Sequence, residues 1–346
     1  MGTRAPDEPD ADGRKGVVQM RAVLVRESGG PQVLVAAQLP EPMAGPGEVV
    51  IEVSHVDIGF VETQIRSGGF TEYFPIRPPY VPGGGVSGTV RTVGEGVDAG
   101  WLGRRVIASV GATGGCAERV VASVDRLAPV PDGVGLREAA ALVHDGATAA
   151  ALLERTAPKP GERVLVLGAS GGMGTLLVQL LHAAGVHVVA VARGERKGAL
   201  VRELGADTVI DGAEPEWAER ARTALADAGG AADVVLDGVG GETGLAAFPL
   251  TAEGGRFSAH GAPTGRFAPV DPQEAARRSI ALFGIADVQL TETEHARLAG
   301  RALAEVAAGR LRPVIGHVYP LAEASQAHAA IEARSLIGKA LLTTGS

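Results

Sequence analysis

Gly168-Ala169-Ser170-Gly171-Gly172-Met173-Gly174 is the stretch whose residue types and spacing most directly imply chemistry. It follows an apolar run, 163–167, and opens a segment, 173–184, in which Leu177, Leu180, Leu181 and Ala184 recur at helical spacing. A strand, a glycine turn and a helix in that order suit a pyrophosphate. Glycines permit the tight turn and close backbone approach, and the helix N-terminus offers free N–H groups and a positive dipole end. Ser170, Gly171, Gly172, Met173 and Gly174 are the expected contacts. An ordinary glycine-rich strand-to-helix turn is the plainer alternative.

The end of the next apolar run, 187–192, bears on which dinucleotide is bound. An acid about 20 residues beyond the fingerprint would bond a ribose 2′-hydroxyl. Here the sequence reads Val191-Ala192-Arg193-Gly194-Glu195-Arg196-Lys197. The acid is missing, and Arg193 and Lys197 offer cations to a 2′-phosphate. NADPH is therefore the expected cofactor, against the alternative that these cations only solvate a helix start.

Proton transfer needs a titratable group, and His144-Asp145 is the best local pair. It interrupts the Ala- and Leu-rich stretch 136–155, and His is a natural donor near neutral pH when a carboxylate holds its tautomer. A histidine capping a helix would look the same. His55 ends a strand leading toward Phe60 and is either a cleft residue or a half-exposed strand residue. Phe60, Phe70, Tyr73, Phe74 and Tyr80 concentrate aromatic rings in a chain with only 3% aromatics. They form either a flat apolar wall for a conjugated acceptor or the core of one loop. Cys116 is the single cysteine, so neither an internal disulfide nor a four-cysteine zinc lobe is available.

These residues need two kinds of scaffold. From Met20 to about Leu127, short apolar runs (21–25, 48–53, 88–92, 105–109, 117–121) alternate with Gly and Pro turns and predict strands. From 136 onward strand and helix patterns alternate: strands at 163–167, 187–192, 208–210, 233–236, 255–258 and 280–285, with helices between. That is the pattern of βαβ units and a parallel sheet, so the fold class is α/β. An apolar run at 340–343 is placed to pair back with the first strands. A net charge of -8 without any basic run argues against nucleic acid. No run reaches the roughly 18 uninterrupted apolar residues of a membrane helix. The charged N-terminus lacks an apolar segment and predicts a disordered tail, 1–19, with no secretory signal; a cytoplasmic location is the corresponding expectation.

The order of MRAVLV, GGPQVL, PGEVVIEV, TQIRSGG, VPGGGVSGTV, GGCAERV, KPGERVLVLGASGGMG, ELGADTVID, DVVLDGVGG and GKALLTT resembles the zinc-independent quinone oxidoreductase branch of the medium-chain dehydrogenase/reductase superfamily. The resemblance runs from Met20 to the end. It implies a GroES-like catalytic domain from 20–135 and 287–346, a Rossmann NADPH-binding domain from 136–286, and a cleft between them. It places Gly238, Val239, Gly261 and Ala262 along the nicotinamide half of the cofactor, and turns position 144 toward the active site. Zinc-dependent relatives carry ligands where this chain has Gly59, Gly84 and Gly85, so no metal is expected. Two departures concern the acceptor: Gly59-Phe60-Val61-Glu62 stands where Asn-Pro-Val-Asp is common, and Phe70 where enoyl reductases often carry a proton-donating Tyr. The function implied is hydride transfer from NADPH to a quinone or α,β-unsaturated carbonyl. Alternatives are a pathway-specific ene-reductase or ketoreductase of secondary metabolism, and an NADPH-binding structural or regulatory protein. A homodimer through 280–285 is expected, with Phe60, Phe70, Tyr73 and His55 facing a small-molecule substrate.

Overall fold

Apolar strands with runs of consecutive buried residues set the architecture of the first third of the chain. The computed structural model describes residues 18–345; most of the expected tail lies outside the described residues. Strands β1 (Gln19–Val25) and β2 (Leu34–Pro40) form an antiparallel ribbon. β3 (Glu48–Ile58) leads into helix α1 (Phe60–Ser67), and β4 (Gly85–Val93), β5 (Arg105–Ser109), β6 (Arg119–Ser123) and β7 (Leu127–Pro129) follow. Val49, Ile51, Val53 and Val56 of β3 are buried, a face that packs on Val86, Val90, Val106 and Leu127. Each such side chain contributes on the order of 1.5–3 kcal/mol when taken out of water.

Helices α2 (Leu136–Ala140) and α3 (His144–Thr156) carry the chain into the second layer system. There β8 (Arg163–Leu167), α4 (Gly172–Ala183), β9 (His187–Ala192), α5 (Glu195–Glu203), β10 (Thr208–Asp211), α6 (Trp217–Asp227), β11 (Ala232–Asp237), α7 (Gly241–Ala247), β12 (Thr251–Ala259), α8 (Pro272–Arg277) and β13 (Ala281–Phe283) alternate. The sheet is parallel throughout, in the order β10-β9-β8-β11-β12-β13. This is the doubly wound order whose reversal point, between β8 and β11, leaves a crevice at the strands' carboxyl ends. Both faces are covered by helices, so its strands are apolar without alternation: Val164, Leu165, Val166, Val188, Val189, Val234 and Val235 are all fully buried.

Helix α9 (Glu292–Ala307) lays Leu298, Ala299, Ala302 and Leu303 into the core that also holds Ala147, Ala150 and Ala151 of α3. β14 (Ile315–Pro320), α10 (Ala324–Glu332) and β15 (Lys339–Thr343) then return to the first sheet. Its order is β14-β15-β3-β4-β5-β7, with β6 also pairing β3. The expected return of 340–343 is seen as antiparallel pairing of Ala340 with Ile58 and Thr343 with His55. The molecule thus joins a GroES-like sheet domain to a Rossmann-like parallel sheet. One expected detail differs. The break in 136–155 falls at Ala141–Val143, and His144 begins α3 instead of interrupting it.

Candidate active site at the junction of the two sheets

The glycine turn occupies the crevice. Gly168 has φ +72°, a conformation that disfavours side chains, and a Cβ there would approach Val239 Cγ2 to 3.2 Å. A Cβ on Gly174 would overlap the Gly168 carbonyl, so helix and turn touch directly. Gly171 caps α4, and no side chain caps that N-terminus, which leaves its first N–H groups for an anion. The Met173 side chain packs on the hydrophobic core, so what this residue can offer a phosphate is its backbone N–H. On the far side, Gly338 N donates to Ser170 O at 2.9 Å and ties the turn to the start of β15.

Three cations gather beyond the end of β9. Lys197 Nζ donates to the carbonyl of Arg334 at 2.9 Å, and the Arg334 guanidinium donates to Pro263 O at 3.0 Å. Burial, then Arg193, then Arg334 lower the pKa of Lys197, and no carboxylate offsets them. Asp211, which feels the charge of Arg193, has its Oδ1 engaged by the N–H groups of Gly194 (3.0 Å) and Ala213 (2.9 Å). A bound 2′-phosphate would relieve the mutual repulsion of the cations. Sequence reasoning found Arg193 and Lys197 but missed Arg334, which arrives from beyond α10.

The other half of the crevice is built from two glycine-bearing turns. Asp237 ends β11, and its Oδ1 accepts from Val239 N and Gly240 N, both at 2.9 Å. Burial pushes this carboxyl up to about 6 against the pull of those bonds. Gly261 lies so close to Gly238 that a Cβ would overlap it, and Ala262 Cα would lie 3.3 Å from a Cβ on Gly240. Gly238, Val239, Gly261 and Ala262 are therefore brought together beside Gly168.

Between this crevice and the first sheet lies a set of charges in which Asp57 and Lys339 are buried while His144 is partly exposed. Asp57, next to last in β3, accepts through Oδ2 from His144 N at 3.1 Å and contacts His144 Nδ1 at 2.9 Å. Lys339 Nζ pairs with Asp57 Oδ1 and, at 3.2 Å, with Asp145 Oδ2. Burial would raise Asp57, yet Lys339 and His144 outweigh it and hold the carboxyl below its ordinary value. An ionised carboxylate only accepts, so Nδ1 of His144 carries the hydrogen and Nε2 is left free. Burial lowers the His144 pKa, but the bond to Asp57 and the charges of Asp57 and Glu62 turn the net shift upward. Glu62 accepts from Gly59 N and, at 3.1 Å, from Gly84 N. Burial and the Asp57 charge raise it to about 7. His295 of α9 stacks edge-on against His144 with centroids 5.6 Å apart, and burial first, then the His144 charge, lowers it to about 4.

The carboxylate at His144 is thus Asp57, not its chain neighbour. Asp145 turns toward Lys339 and fills the space where a Cβ of Gly172 would stand. Burial raises its pKa, with Lys339 opposing.

The remaining candidates divide. Phe70 and Tyr73 meet Phe267 of the nucleotide-binding half, with centroids 5.9–6.2 Å apart. Phe60 is the partly buried first residue of α1. Tyr80 packs against the core of the first sheet and is no part of a wall with Phe70. His55 contacts Ser54 Oγ at 2.9 Å and takes its charge interactions from Glu138 and Arg137 of α2, away from the His144 group. The Cys116 thiol is buried, and burial and Glu62 push its pKa well up.

Glycines at the positions of a zinc site do not fit a metal here. A Cβ on Gly84 would lie 3.2 Å from His144 Cε1, and one on Gly85 only 2.8 Å, so the imidazole occupies that space. Among the described residues, no group of three or more His, Cys, Asp or Glu could hold a metal ion. Likewise among them, no helix is long and apolar enough to cross a membrane.

Comparison with known proteins identifies the family and the fold. The alcohol dehydrogenase GroES-like domain family matches residues 45–132 and the zinc-binding dehydrogenase family residues 204–342. A mouse quinone oxidoreductase is 33% identical over 313 residues, covering 89% of this chain and 93% of that protein. A mycobacterial protein solved in complex with NADPH superposes with a TM-score of 0.84 at 34% identity, covering 94% of this chain and 99% of that one. An Escherichia coli quinone oxidoreductase complexed with NADPH gives 0.85 at 26% identity, covering 93% and 99%.

Proposed function

The chain belongs to the quinone oxidoreductase-like branch of the medium-chain dehydrogenase/reductase superfamily, and on that premise we propose that it is a zinc-free, NADPH-dependent reductase of a quinone or α,β-unsaturated carbonyl. The observation that carries the reading is His144, oriented by Asp57 beside the glycine turn at the sheet junction. NADPH, when bound, supplies the hydride. The α4 N-terminus would hold the pyrophosphate, and Arg193, Lys197 and Arg334 would hold the 2′-phosphate. Gly238, Val239, Gly261 and Ala262 leave room for the nicotinamide half. NADPH-bound relatives of the same fold support this choice of cofactor.

His144 Nε2 then delivers a proton to the reduced acceptor, and Asp57 stabilises the imidazolium before transfer and fixes the ring throughout. Asp57 is a positioning residue, and Lys339 anchors it from the opposite side. Asp145 completes the charge balance around Lys339. Each acceptor gains a hydride and then one proton, but water readily protonates a hydroquinone anion, so with a quinone His144 serves to position the acceptor, and with an enone it also supplies the proton. We divide the domains at 136 and 287, place the protein in the cytoplasm, and assign a homodimer to the exposed edge of β13. The test is NADPH consumption against a panel of quinones and enones with product identification. Stoichiometric reduction of at least one class is expected. Tight NADPH binding without turnover on any of them would favour a structural or regulatory role.

A further inference from the structure

Phe267 lies on the loop between β12 and α8, which the cofactor crevice holds by its own hydrogen bonds. Thr264 Oγ1 donates to Val239 O at 3.1 Å, and Gly241 N donates to Arg266 O at 3.0 Å. The loop is thereby fixed to the turn that follows β11, and Phe267 projects from it to the opposite domain. There it meets Phe70 at 6.2 Å and Tyr73 at 5.9 Å, the latter edge-on at 81°. Phe70 and Tyr73 share one tight turn: Tyr73 N and Phe74 N both donate to Phe70 O, at 2.9 and 2.8 Å. Phe70 itself sits at φ +52°, a conformation that costs a bulky residue energy and persists only when its surroundings hold it. The three rings are partly buried or exposed and belong to neither domain's core. They form an apolar bridge between the two walls of the cleft, at the end marked by Val239 and Gly240.

We propose that Phe267 is a specificity-determining residue, which with Phe70 and Tyr73 forms a ring clasp that selects flat conjugated acceptors and keeps solvent from the cofactor. This rests on the reductase reading. A planar ring can exchange edge and face contacts with the three aromatics, whereas a short aliphatic enone leaves the clasp with nothing to grip. Phe267 reaches the acceptor end from the nucleotide-binding half, so acceptor choice would be shared between domains.

The test compares the unmodified protein with Phe267→Ala and Phe267→Tyr, using NADPH, 1,4-naphthoquinone and but-3-en-2-one. Bound NADPH fluorescence gives cofactor affinity, and acrylamide quenching of that fluorescence gives solvent access. Phe267→Ala should lower kcat/KM for the naphthoquinone about ten-fold and for butenone less than about two-fold, the size of an aromatic pair lost to one acceptor only. Quenching should rise in Phe267→Ala, NADPH affinity should hold, and Phe267→Tyr should restore both selectivity and protection. An unchanged acceptor ratio with unchanged quenching overturns the proposal. So does an equal loss on both acceptors that tracks weaker NADPH binding, because the loop would then serve the cofactor alone. If the unmodified protein binds NADPH but reduces neither these two acceptors nor any other quinone or enone of the panel, the reductase reading fails. The quenching comparison then decides the closure by itself, with increased access in Phe267→Ala supporting it and equal access overturning it.

Discussion

Asp57 Oδ2 meets both the backbone N–H and the ring Nδ1 of His144, so one carboxylate oxygen sets where α3 begins and which way its first side chain faces. His144→Ala should slow turnover of an enone by about 10²–10⁴-fold, the range for a lost general acid, and should raise KM more than it lowers kcat with a quinone, with NADPH affinity unchanged. Asp57→Asn should keep the fold but remove the charge that raises the His144 pKa. The acid form is then lost at lower pH, so the alkaline limb of the kcat profile should move acidward. A limb that stays in place in Asp57→Asn, or full activity in His144→Ala, would refute the assignment.

The cation cluster predicts cofactor preference. Replacing Arg193, Lys197 or Arg334 by Ala should weaken NADPH binding by roughly 1.5–3 kcal/mol per lost charge-assisted contact and leave NADH binding nearly unchanged. Arg193→Ala and Lys197→Ala are the cleanest variants, because Arg334→Ala also removes the bond to Pro263 O beside the nicotinamide half. Dissociation constants for the two cofactors, measured side by side, decide the matter; equal losses for both would mean that the cluster does not face the 2′-phosphate.

Gly85 tests the zinc-free reading by space instead of by chelation alone. A Cβ there would lie 2.8 Å from both His144 Cε1 and Val143 Cγ1. Gly85→Ala should push the imidazole off its bond to Asp57 and cut kcat by about ten-fold or more, consistent with a displaced general acid, with cofactor affinity retained. Dialysis against a chelator should leave the unmodified enzyme fully active, and elemental analysis should find zinc far below one per chain. Loss of activity on chelation, restored by zinc, would contradict the reading.

Buried histidines predict acid sensitivity. Burial lowers His260 to about 4 and, with Arg66 adding to it, His328 to about 3. Both are almost fully buried. Their folded pKa values lie below the unfolded value, so the unfolded chain takes up their protons first. Stability is full above about 6.5 and falls as pH drops toward 4 and then 3. Between pH 7.5 and 4.5 each group should contribute on the order of 2–3 kcal/mol to that loss. Urea midpoints at pH 7.5 and 4.5 measure it, and His328→Leu should flatten the difference; an equally steep fall in that variant would assign the effect elsewhere.

Local spacing made much of this legible in advance. The glycine turn could be read because its chemistry depends on consecutive residues, and the limits of β5, β8 and β9 because their apolar runs are bounded by polar residues or by the glycine turn. His144 stood out as a polar residue in an apolar stretch. Its partner did not: Asp57 reads as one more polar position in a strand, whereas Asp145, adjacent in sequence, looked the natural choice. The fold separates those neighbours, since successive residues of a starting helix point about 100° apart. Lys339, Arg334 and Phe267 were invisible for the same reason. Each reaches the site from a segment whose position is fixed by sheet pairing or loop anchoring and by no local pattern.

Strand β15 gives the protein an order of assembly. Lys339–Thr343 sits between β14 and β3, its first residue neutralises Asp57 and Asp145, and the preceding Gly338 fastens the glycine turn. A ribosome delivers β3 and the whole parallel sheet before it delivers this strand. Until then Asp57 and Asp145 lack their cation, and the central sheet has an open edge at β3. The nucleotide-binding half can condense during synthesis, but the cleft can be completed only after this late segment has emerged. The cleft is therefore complete only once β15 has paired with β3.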